Sequence, residues 1–417
     1  MNKSRCIVID VSNLSIHSKK FIRTGIQEVV YKTLLSMVRI RKEFPHLNLI
    51  LLPQLPRRFG GLLRSQTIVP YQNPAPFILK SIEQDLGLSS EEVWGVDIKQ
   101  ENYTLSDERL LEIVMGADAL HIQGMVNVAP LYDRLVALGS PSAKRMSITV
   151  YDLVPILYPE YCDDGVARWF KEVYLPAIGR CINQVVCISK KTARDLFEYS
   201  VTQDIKNVSV LSLPFDLASQ LSPDQRILKT LFLEGSDYLV FLGSLEPRKN
   251  FEGLLLGFET FRKLVPSSSM KLVLVGGTGW KNQDTESKIQ NSPYQQDIIR
   301  TGYFNDSELH TVLKHSVALA MVSQYEGYGL PVAQAYSLGV NIITTYGSSL
   351  PEACQGEAFF VEPHDPFSIC AGIQQTLRFR AKEGTRAMLK TWNWDNYARN
   401  LLKLVSKDCD APLSTPS

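Results

Sequence analysis

The chain has 417 residues, and at about 100–200 residues per domain this length predicts about two domains. Hydrophobic residues make up 45% of the chain and charged residues 21%, which is ordinary for a globular protein with a sizeable core. Lys plus Arg (44) and Asp plus Glu (43) leave a net charge of +1. This balance excludes a protein that binds nucleic acid through overall positive charge, but it does not exclude a local basic pocket.

Seven cysteines are scattered along the chain, and no two form a Cys-x-x-Cys pair. This pattern argues against a disulfide framework or a zinc site and favours free thiols in a reducing compartment. The apolar stretch near the N-terminus is too short for a signal peptide, and no run approaches the about 18 residues of a membrane span. We therefore expect a cytoplasmic protein. Arg39, Arg41 and Lys42 leave open either a peripheral contact with the inner face of the cell membrane or a solvated helix end.

Short apolar runs alternate with longer helical patterns in the first half. Strands are predicted at Cys6–Val11, Leu47–Leu52, Ser147–Tyr151, Gln184–Ile188 and Val208–Leu211. Helices are predicted over Thr24–Phe44, Val166–Arg180 and Lys190–Tyr199. Thr24 and Gln27 have the capping-box spacing, and Ser189 is a natural N-cap for the third helix.

A polar stretch from Pro214 to Gly235 separates the two halves, and the alternation then resumes. Strands are predicted at Tyr238–Leu242, Lys271–Val275, Val317–Val322 and Asn341–Thr345. Helices are predicted at Asn250–Leu264, at Asp306–His315 with Asp306 as the cap, at Pro331–Gly339 and from Asp365. The pattern indicates two α/β domains with mainly parallel sheets, the first over residues 1–215 and the second from residue 236. Ligands of such sheets bind beyond the carboxyl ends of the strands, so we expect a cleft between facing domains.

The first candidate for chemistry is the stretch Gly243-Ser-Leu-Glu-Pro-Arg-Lys-Asn250, which follows a predicted strand and precedes a helix. Gly243 allows close backbone approach, and Arg248 with Lys249 beside a helix N-terminus suits a diphosphate. The alternative is a solvated loop, because most Arg-Lys pairs lie on protein surfaces.

The second candidate is Ser323-Gln-Tyr-Glu-Gly-Tyr-Gly-Leu-Pro-Val-Ala-Gln334. Gly327 and Gly329 let the backbone approach a ligand or take a positive φ, and the following helix presents free N–H groups. Such a loop can cradle phosphate, while Glu326 offers a carboxylate to sugar hydroxyls. The alternative is a tight turn into a packed helix.

Together these two stretches resemble the donor site of the retaining nucleotide-sugar glycosyltransferases of family 4, which have the GT-B fold. Further segments resemble the same family, and they are Val275-Gly-Gly277, Gly302 to Leu309, Leu350-Pro-Glu352 and Trp392 to Ala398. The resemblance covers nearly all of residues 236–405 and is thinner in the first half, where Thr24-Gly-Ile and Asp152-Leu-Val-Pro match best. It implies two Rossmann-like domains, an acceptor domain over 1–215 and a donor domain over 236–392. A helix over 393–409 would cross back to the first domain.

The resemblance implies roles for the matched residues. Arg248 and Lys249 would neutralise the leaving diphosphate, and Glu326 would contact the sugar or assist the reacting face. The other positions implied to bind the donor are Gly25, Gly243, Asn250, Tyr303, Phe304, Gly327, Tyr328, Gly329, Leu330 and Gln334. No protein nucleophile, metal or resident cofactor is implied, because the leaving phosphate is thought to help deprotonate the acceptor on the same face.

Two residues depart from the family pattern. The second of two family glutamates, eight positions after Glu326, is Gln334 here, which can still accept a ribose hydrogen bond but without the charge. Many relatives carry a His-Asp pair where this chain has Tyr151-Asp152. Tyr151 can donate a hydrogen bond, but it cannot act as a cation near neutral pH. It is either part of the active site or a packing aromatic at a strand end.

We therefore predict a hexosyltransferase that moves a sugar from a nucleotide diphosphate to a hydroxyl of a glycan or lipid-linked acceptor in bacterial surface polysaccharide synthesis. In the family that the chain resembles, the Pro-Arg-Lys-Asn form of the first motif makes GDP-mannose the first donor hypothesis. UDP- and dTDP-sugars are the alternatives. A GT-B protein that binds a glycan or partner without turnover, and a sugar-nucleotide epimerase, are the other readings. Asp408-Cys-Asp410 has the spacing of a metal-diphosphate motif but is interpreted as accidental in the tail.

Overall fold

The computed structural model describes residues 5–11, 25–52, 61–64, 67–70, 83–84, 86–95, 107–199, 205, 207–214, 223–279, 283–379 and 392–406. The predictions made for Thr24 and for the tail after residue 406 lie outside this range. The described chain divides into two compact units. Unit 1 joins the residues up to Leu213 to a helix that begins at Trp394, and unit 2 runs from Pro214 to Asn393.

Unit 1 is built on a parallel sheet that, over the described residues, has six strands in the order β2-β1-β5-β6-β7-β8. The strands are β1 (Arg5–Asp10), β2 (Leu47–Leu52), β5 (Ala119–Ile122), β6 (Met146–Val150), β7 (Gln184–Cys187) and β8 (Val208–Val210). A separate antiparallel pair is formed by β3 (Gly61–Arg64) and β4 (Thr67–Pro70). Strand β1 is a continuous apolar run because both faces of the sheet are covered, which leaves Val8 and Ile9 fully buried.

Helices connect the strands of unit 1, as parallel pairing requires. They are α1 (Ile26–Ile40), α2 (Ser90–Trp94), α3 (Asp107–Gly116), α4 (Ala129–Ala137), α5 (Val154–Leu157), α6 (Asp164–Trp169), α7 (Leu175–Cys181) and α8 (Lys190–Tyr199). A π-helical turn, Phe170–Tyr174, joins α6 to α7 within the predicted helical segment. Ser189 caps α8 as predicted, because its Oγ accepts the Thr192 N–H at 2.9 Å.

Unit 2 repeats the architecture with a parallel sheet of six described strands in the order β11-β10-β9-β12-β13-β14. The strands are β9 (Tyr238–Leu242), β10 (Lys271–Val275), β11 (Ile298–Gly302), β12 (Ala318–Met321), β13 (Asn341–Thr344) and β14 (Phe359–Phe360). The helices are α9 (Arg226–Thr230), α10 (Phe251–Leu264), α11 (Gln283–Gln290), α12 (Asp306–Lys314), α13 (Leu330–Ser337), α14 (Leu350–Ala353) and α15 (Pro366–Arg378). The prediction of an α/β protein with two parallel sheets is confirmed.

The predicted cap of α12 was wrong by one residue. Asn305, not Asp306, has the extended backbone of a cap, and its Oδ1 accepts the Glu308 N–H at 3.0 Å. Glu308 returns the contact by accepting the Asn305 N–H at 2.9 Å. This reciprocal capping box satisfies two N–H groups that the first turn would otherwise leave unpaired.

A last helix, α16 (Trp394–Ser406), packs against α1 within unit 1. Its buried face includes Tyr397, Leu401 and Leu402, each fully shielded from solvent. At the edge of this contact, Arg399 binds Glu43 through two hydrogen bonds of 2.6 and 2.7 Å. The helix therefore completes the core of unit 1 although it follows unit 2 in the chain.

The basic cluster considered for lipid contact is engaged within unit 1. Arg39 pairs with Asp395 at 2.8 Å. Arg41 donates to the carbonyl oxygens of Glu92 and Val93. These contacts favour a structural role for both arginines. Among the helices that the structure describes, none is long and apolar enough to span a lipid bilayer.

A buried histidine makes the stability of unit 1 sensitive to acid. His121 in β5 lies between Ser147 Oγ (2.9 Å) and Thr149 Oγ1 (3.0 Å), and burial lowers its pKa to about 3. In the unfolded chain its pKa is near 6.5, so below that pH the unfolded state binds the proton first. We expect the free energy of unfolding to fall by up to about 1.4 kcal/mol per pH unit between these two pKa values.

Urea denaturation at pH 7 and pH 5 would measure this effect. The His121→Asn variant should lose less stability on acidification than the wild type. The exposed His46 offers the control substitution, His46→Asn. Equal pH dependence in His121→Asn and the wild type would contradict the assignment.

Candidate active site

The first candidate loop begins where β9 ends, at Gly243. Gly243 has φ +146° and its N–H bonds to Val275 O at 2.8 Å. A Cβ at this position would lie 3.1 Å from Lys249 Cδ and Cε. A Cβ on Gly276, at the end of β10, would lie 2.4 Å from Gly243 O. The glycines therefore let two strand ends approach each other and make room for the Lys249 side chain.

Asn250 fixes the other end of this loop. It has φ +52°, a left-handed conformation that asparagine tolerates better than most residues. Its side-chain amide donates to Val322 O at 3.2 Å and to Pro363 O at 2.6 Å. The donor-binding role of Asn250 stays a prediction, and in the structure its amide nitrogen ties the loop to two distant segments of unit 2.

The two cations of the loop meet the glutamate of the second candidate stretch. Lys249 Nζ lies 2.9 Å from Glu326 Oε1, and Arg248 Nη1 lies 2.7 Å from Glu326 Oε2. Arg248 Nε is also 3.1 Å from Oε2 of Glu246. Two cations therefore face two carboxylates. The charged cluster formed by these four side chains is neutral overall.

Because the cluster is buried, its charges interact strongly with one another. Glu326, Lys249 and Glu246 are each no more than 8% exposed. Burial acts to raise the pKa of Glu326, but the charges and hydrogen bonds of Arg248 and Lys249 outweigh it and lower this pKa to about 2. Ser323 Oγ also donates to Glu326 Oε1 at 3.0 Å. Glu326 is thus held as a carboxylate with a fixed orientation.

The glycine-containing loop after β12 leads into α13. Gly329 has φ +97° and precedes the first residue of the helix, and a Cβ there would lie 2.6 Å from Leu350 Cδ2. Tyr328 is 3% exposed, and burial raises the pKa of its hydroxyl. Its ring packs in the interior, so the backbone is the part of Gly327 to Leu330 that a ligand could use. Gln334 lies one turn into α13 and is half-buried.

Tyr303 and Phe304 follow β11 at the same edge of the sheet. Tyr303 is 51% exposed. A Cβ on Gly277 would lie 2.5 Å from the Tyr303 hydroxyl, so the tyrosine side chain lies over the glycine turn that follows β10. Gly243, Gly276, Tyr303 and Ser323 thus gather at the carboxyl ends of four neighbouring strands, where α/β sheets bind ligands.

Unit 1 holds the remaining predicted residues. Gly25 has φ +46° and precedes α1, with open space where a Cβ would be. Tyr151 is 3% exposed, and its hydroxyl has no hydrogen-bond partner among the described residues. Burial, with Tyr397, Tyr174 and Asp10 nearby, raises its pKa. Asp152 lies two residues before α5, and its Oδ1 accepts the N–H of Val154, the first residue of that helix, at 3.1 Å.

Sequence reasoning missed Glu246 and Ser323 as members of the charged cluster. Glu246 occupies a variable position of the motif, and a serine at a strand end is a weak signal. It also missed Asp10, the last residue of β1, and Gln123, which follows β5. Both are fully buried. Their signal was positional, since each is a polar residue at the carboxyl end of a buried strand. Among the described residues, no three His, Cys, Asp or Glu are grouped so as to hold a metal ion.

Comparison with solved structures identifies the fold. Sucrose-phosphate synthase from Thermosynechococcus elongatus superposes with a TM-score of 0.64 at 14% identity, covering 96% of this chain and 98% of that one. At this identity the match establishes the fold alone. The two parallel sheets and the match together confirm the predicted GT-B fold.

Comparison of the sequence then gives the family. Residues 225–400 match the family Glycosyl transferases group 1. These residues therefore form a Glycosyl transferases group 1 domain, as the resemblance implied. The domain lies in unit 2 except for its last residues, which belong to α16. This domain includes the whole charged cluster and the loop that leads into α13.

Two curated relatives from Escherichia coli are similar over 61% of this chain. O-antigen chain mannosyltransferase B is 26% identical over 265 residues, and the match spans 68% of its length. Serotype-specific mannosyltransferase WbdA is 23% identical over 268 residues, and the match spans only 32% of its length. The matched part of the chain thus spans about a third of the larger relative.

Proposed function

We propose that this chain is a retaining mannosyltransferase that uses a nucleoside diphosphate mannose, with GDP-mannose as the first donor hypothesis. The acceptor would be a hydroxyl of a glycan or lipid-linked oligosaccharide in bacterial surface polysaccharide synthesis, on the cytoplasmic side of the membrane. The observation that carries the proposal is the buried cluster of Arg248, Lys249 and Glu326 beside the start of α13. The mannosyltransferase names of both relatives support the choice of sugar.

The cluster suits the departure of a diphosphate. Arg248 and Lys249 are already oriented by Glu326, so little reorganisation is needed when negative charge develops on the leaving group. Backbone N–H groups at the first turn of α13 add positive partial charge at the same edge. In this proposal the leaving phosphate takes the acceptor proton on the same face, and the main tasks of the protein are charge stabilisation and placement of the acceptor.

Transfer assays with GDP-, UDP- and dTDP-sugars, together with thermal shifts for each nucleotide sugar, would test the proposal. We expect turnover with GDP-mannose above the other donors. Turnover with a UDP- or dTDP-sugar alone would identify that nucleotide sugar as the donor in place of GDP-mannose. Conversion of a nucleotide sugar to its epimer without an acceptor would indicate the epimerase. If no donor gives either turnover or a thermal shift, the protein that binds a glycan or partner without turnover is favoured. Tyr151 and Gln334, the two departures from the family pattern, motivate this alternative.

The residue at position 334 offers a test of the donor ribose site. A carboxylate accepts hydrogen bonds from hydroxyls more strongly than an amide oxygen does. We therefore expect Gln334→Glu to tighten donor binding about fivefold to tenfold, roughly the 1–1.4 kcal/mol gained by a charge-assisted hydrogen bond. Calorimetric titration with a non-hydrolysable donor analogue would measure it.

The 2′,3′-dideoxy nucleotide provides the control for this experiment. If the gain comes from the ribose hydroxyls, the dideoxy compound should bind the variant and the wild type equally. An unchanged dissociation constant for the ordinary nucleotide would show that position 334 does not contact the ribose.

A further inference from the structure

Glu246 is a buried carboxylate that the proposed donor chemistry does not require. It fills a variable position of the first motif, is 8% exposed, and places Oε2 at 3.1 Å from Arg248 Nε. Ser244 Oγ donates to its other carboxylate oxygen. Its backbone carbonyl accepts the Lys249 N–H at 3.0 Å. Glu246 is therefore fixed from three directions against the cations.

This placement sets Glu246 in competition with a diphosphate. Arg248 is the cation that both carboxylates share, because Nε faces Glu246 and Nη1 faces Glu326. A diphosphate bound to Arg248 would bring further negative charge next to the Glu246 carboxylate. Since the cluster is already neutral and only partly accessible to water, the repulsion between these like charges is weakly screened.

We propose that Glu246 is a positioning residue that holds Arg248 in place and weakens the binding of the nucleoside diphosphate product, so that the product leaves quickly. This inference rests on the proposed function of the site. When the product departs, Glu246 pairs again with Arg248 and restores the neutral cluster. We do not assign this role to Glu326, because its carboxylate binds Lys249 as well as Arg248.

The Glu246→Gln variant tests the proposal, since glutamine keeps the shape and can still contact Ser244 and Arg248 while the charge is removed. Calorimetry should show GDP binding at least tenfold more tightly than to the wild type. Stopped-flow displacement should show slower release of GDP by a similar factor. Guanosine, which has no phosphate, should bind both proteins equally. Glu246→Asp, which retains the charge, should keep an affinity for GDP within about threefold of the wild type.

Glu252 provides the matched control in the same domain. It pairs with Lys288 at a more exposed position on α10, so Glu252→Gln should not change the affinity for GDP. If Glu246 only stabilises the loop, Glu246→Gln should bind GDP with equal or lower affinity, and that result would overturn the proposal.

If the Glu246→Gln protein fails to fold, the Ser244→Ala variant takes its place in the test. This variant releases one carboxylate oxygen and should tighten GDP binding twofold to threefold, and no gain would again overturn the proposal.

Inorganic pyrophosphate separates this inference from the proposed function. If the wild type binds no nucleoside diphosphate at all, the proposed donor site fails. Pyrophosphate still probes the charge competition in that case, since it needs only the cations. Tighter pyrophosphate binding by Glu246→Gln supports the role of Glu246, and equal binding overturns it.

Discussion

Replacing Glu326 with alanine is expected to lower the free energy of unfolding of unit 2 by about 3–5 kcal/mol, as is typical when one partner of a buried ion pair is removed. Lys249 would then be a 7% exposed ammonium that has lost its carboxylate partner. Urea denaturation at pH 7, followed by the fluorescence of unit 2, measures the change. The large effect arises from the unpaired charge and not from lost apolar packing.

The more exposed pair of Glu252 and Lys288 gives the control for this experiment. Glu252→Ala should lower the free energy of unfolding by less than about 1 kcal/mol, because exposed ion pairs contribute little.

The dependence of stability on pH provides a second check. The folded pKa of Glu326 is about 2 and lies below its ordinary value of 4.5, so its contribution is present above pH 4.5 and is lost as the pH falls toward 2. The difference between wild type and Glu326→Gln should shrink over this interval, and a constant difference would contradict the assignment.

Replacing Arg248 with alanine is expected to lower kcat with the preferred donor by at least tenfold. The reason is the loss of one charge-assisted hydrogen bond to the departing diphosphate, and about 1.4 kcal/mol in the barrier corresponds to a factor of ten in rate. Steady-state kinetics under saturating donor and acceptor would measure the change. Because the interaction strengthens as charge develops, kcat should fall more than KM rises.

Arg226 is a suitable control for the Arg248 experiment. Its side chain is 89% exposed and pairs with Asp224, so Arg226→Ala should leave kcat unchanged. Turnover of Arg248→Ala at the wild-type rate would remove Arg248 from the active site. A folded variant should be verified by an unchanged thermal transition before the kinetics are interpreted.

Much of the fold could be predicted because buried parallel strands appear as short apolar runs. The strands β1, β2, β9 and β10 were predicted to within one residue at each end. Five of the described strands were not predicted, namely β3, β4, β5, β11 and β14. Strand β5 contains the polar His121, and β11 contains Arg300 and Thr301, so both interrupt the apolar pattern. Polar residues inside a strand are understood only when their partners in space are known.

The sequence supplied candidate residues for the site but not their arrangement in space. Spacing indicated that Arg248 and Lys249 approach an anion, and the resemblance added Glu326. The sequence could not show that Glu326 binds both cations, since 77 residues separate it from Lys249. The role of Asn250 was also hidden, because its two carbonyl partners come from distant segments. Long-range pairing of this kind depends on tertiary packing, which local patterns do not encode.

The return of α16 to unit 1 has a consequence for synthesis on the ribosome. The apolar groove of α1 that receives Tyr397, Leu401 and Leu402 is made early, whereas the helix that fills it emerges only after all of unit 2. A nascent chain thus carries an incomplete first unit while the second unit, which is contiguous in sequence, is able to form. Vectorial folding should therefore proceed out of order, with unit 2 reaching its native state before unit 1 is closed.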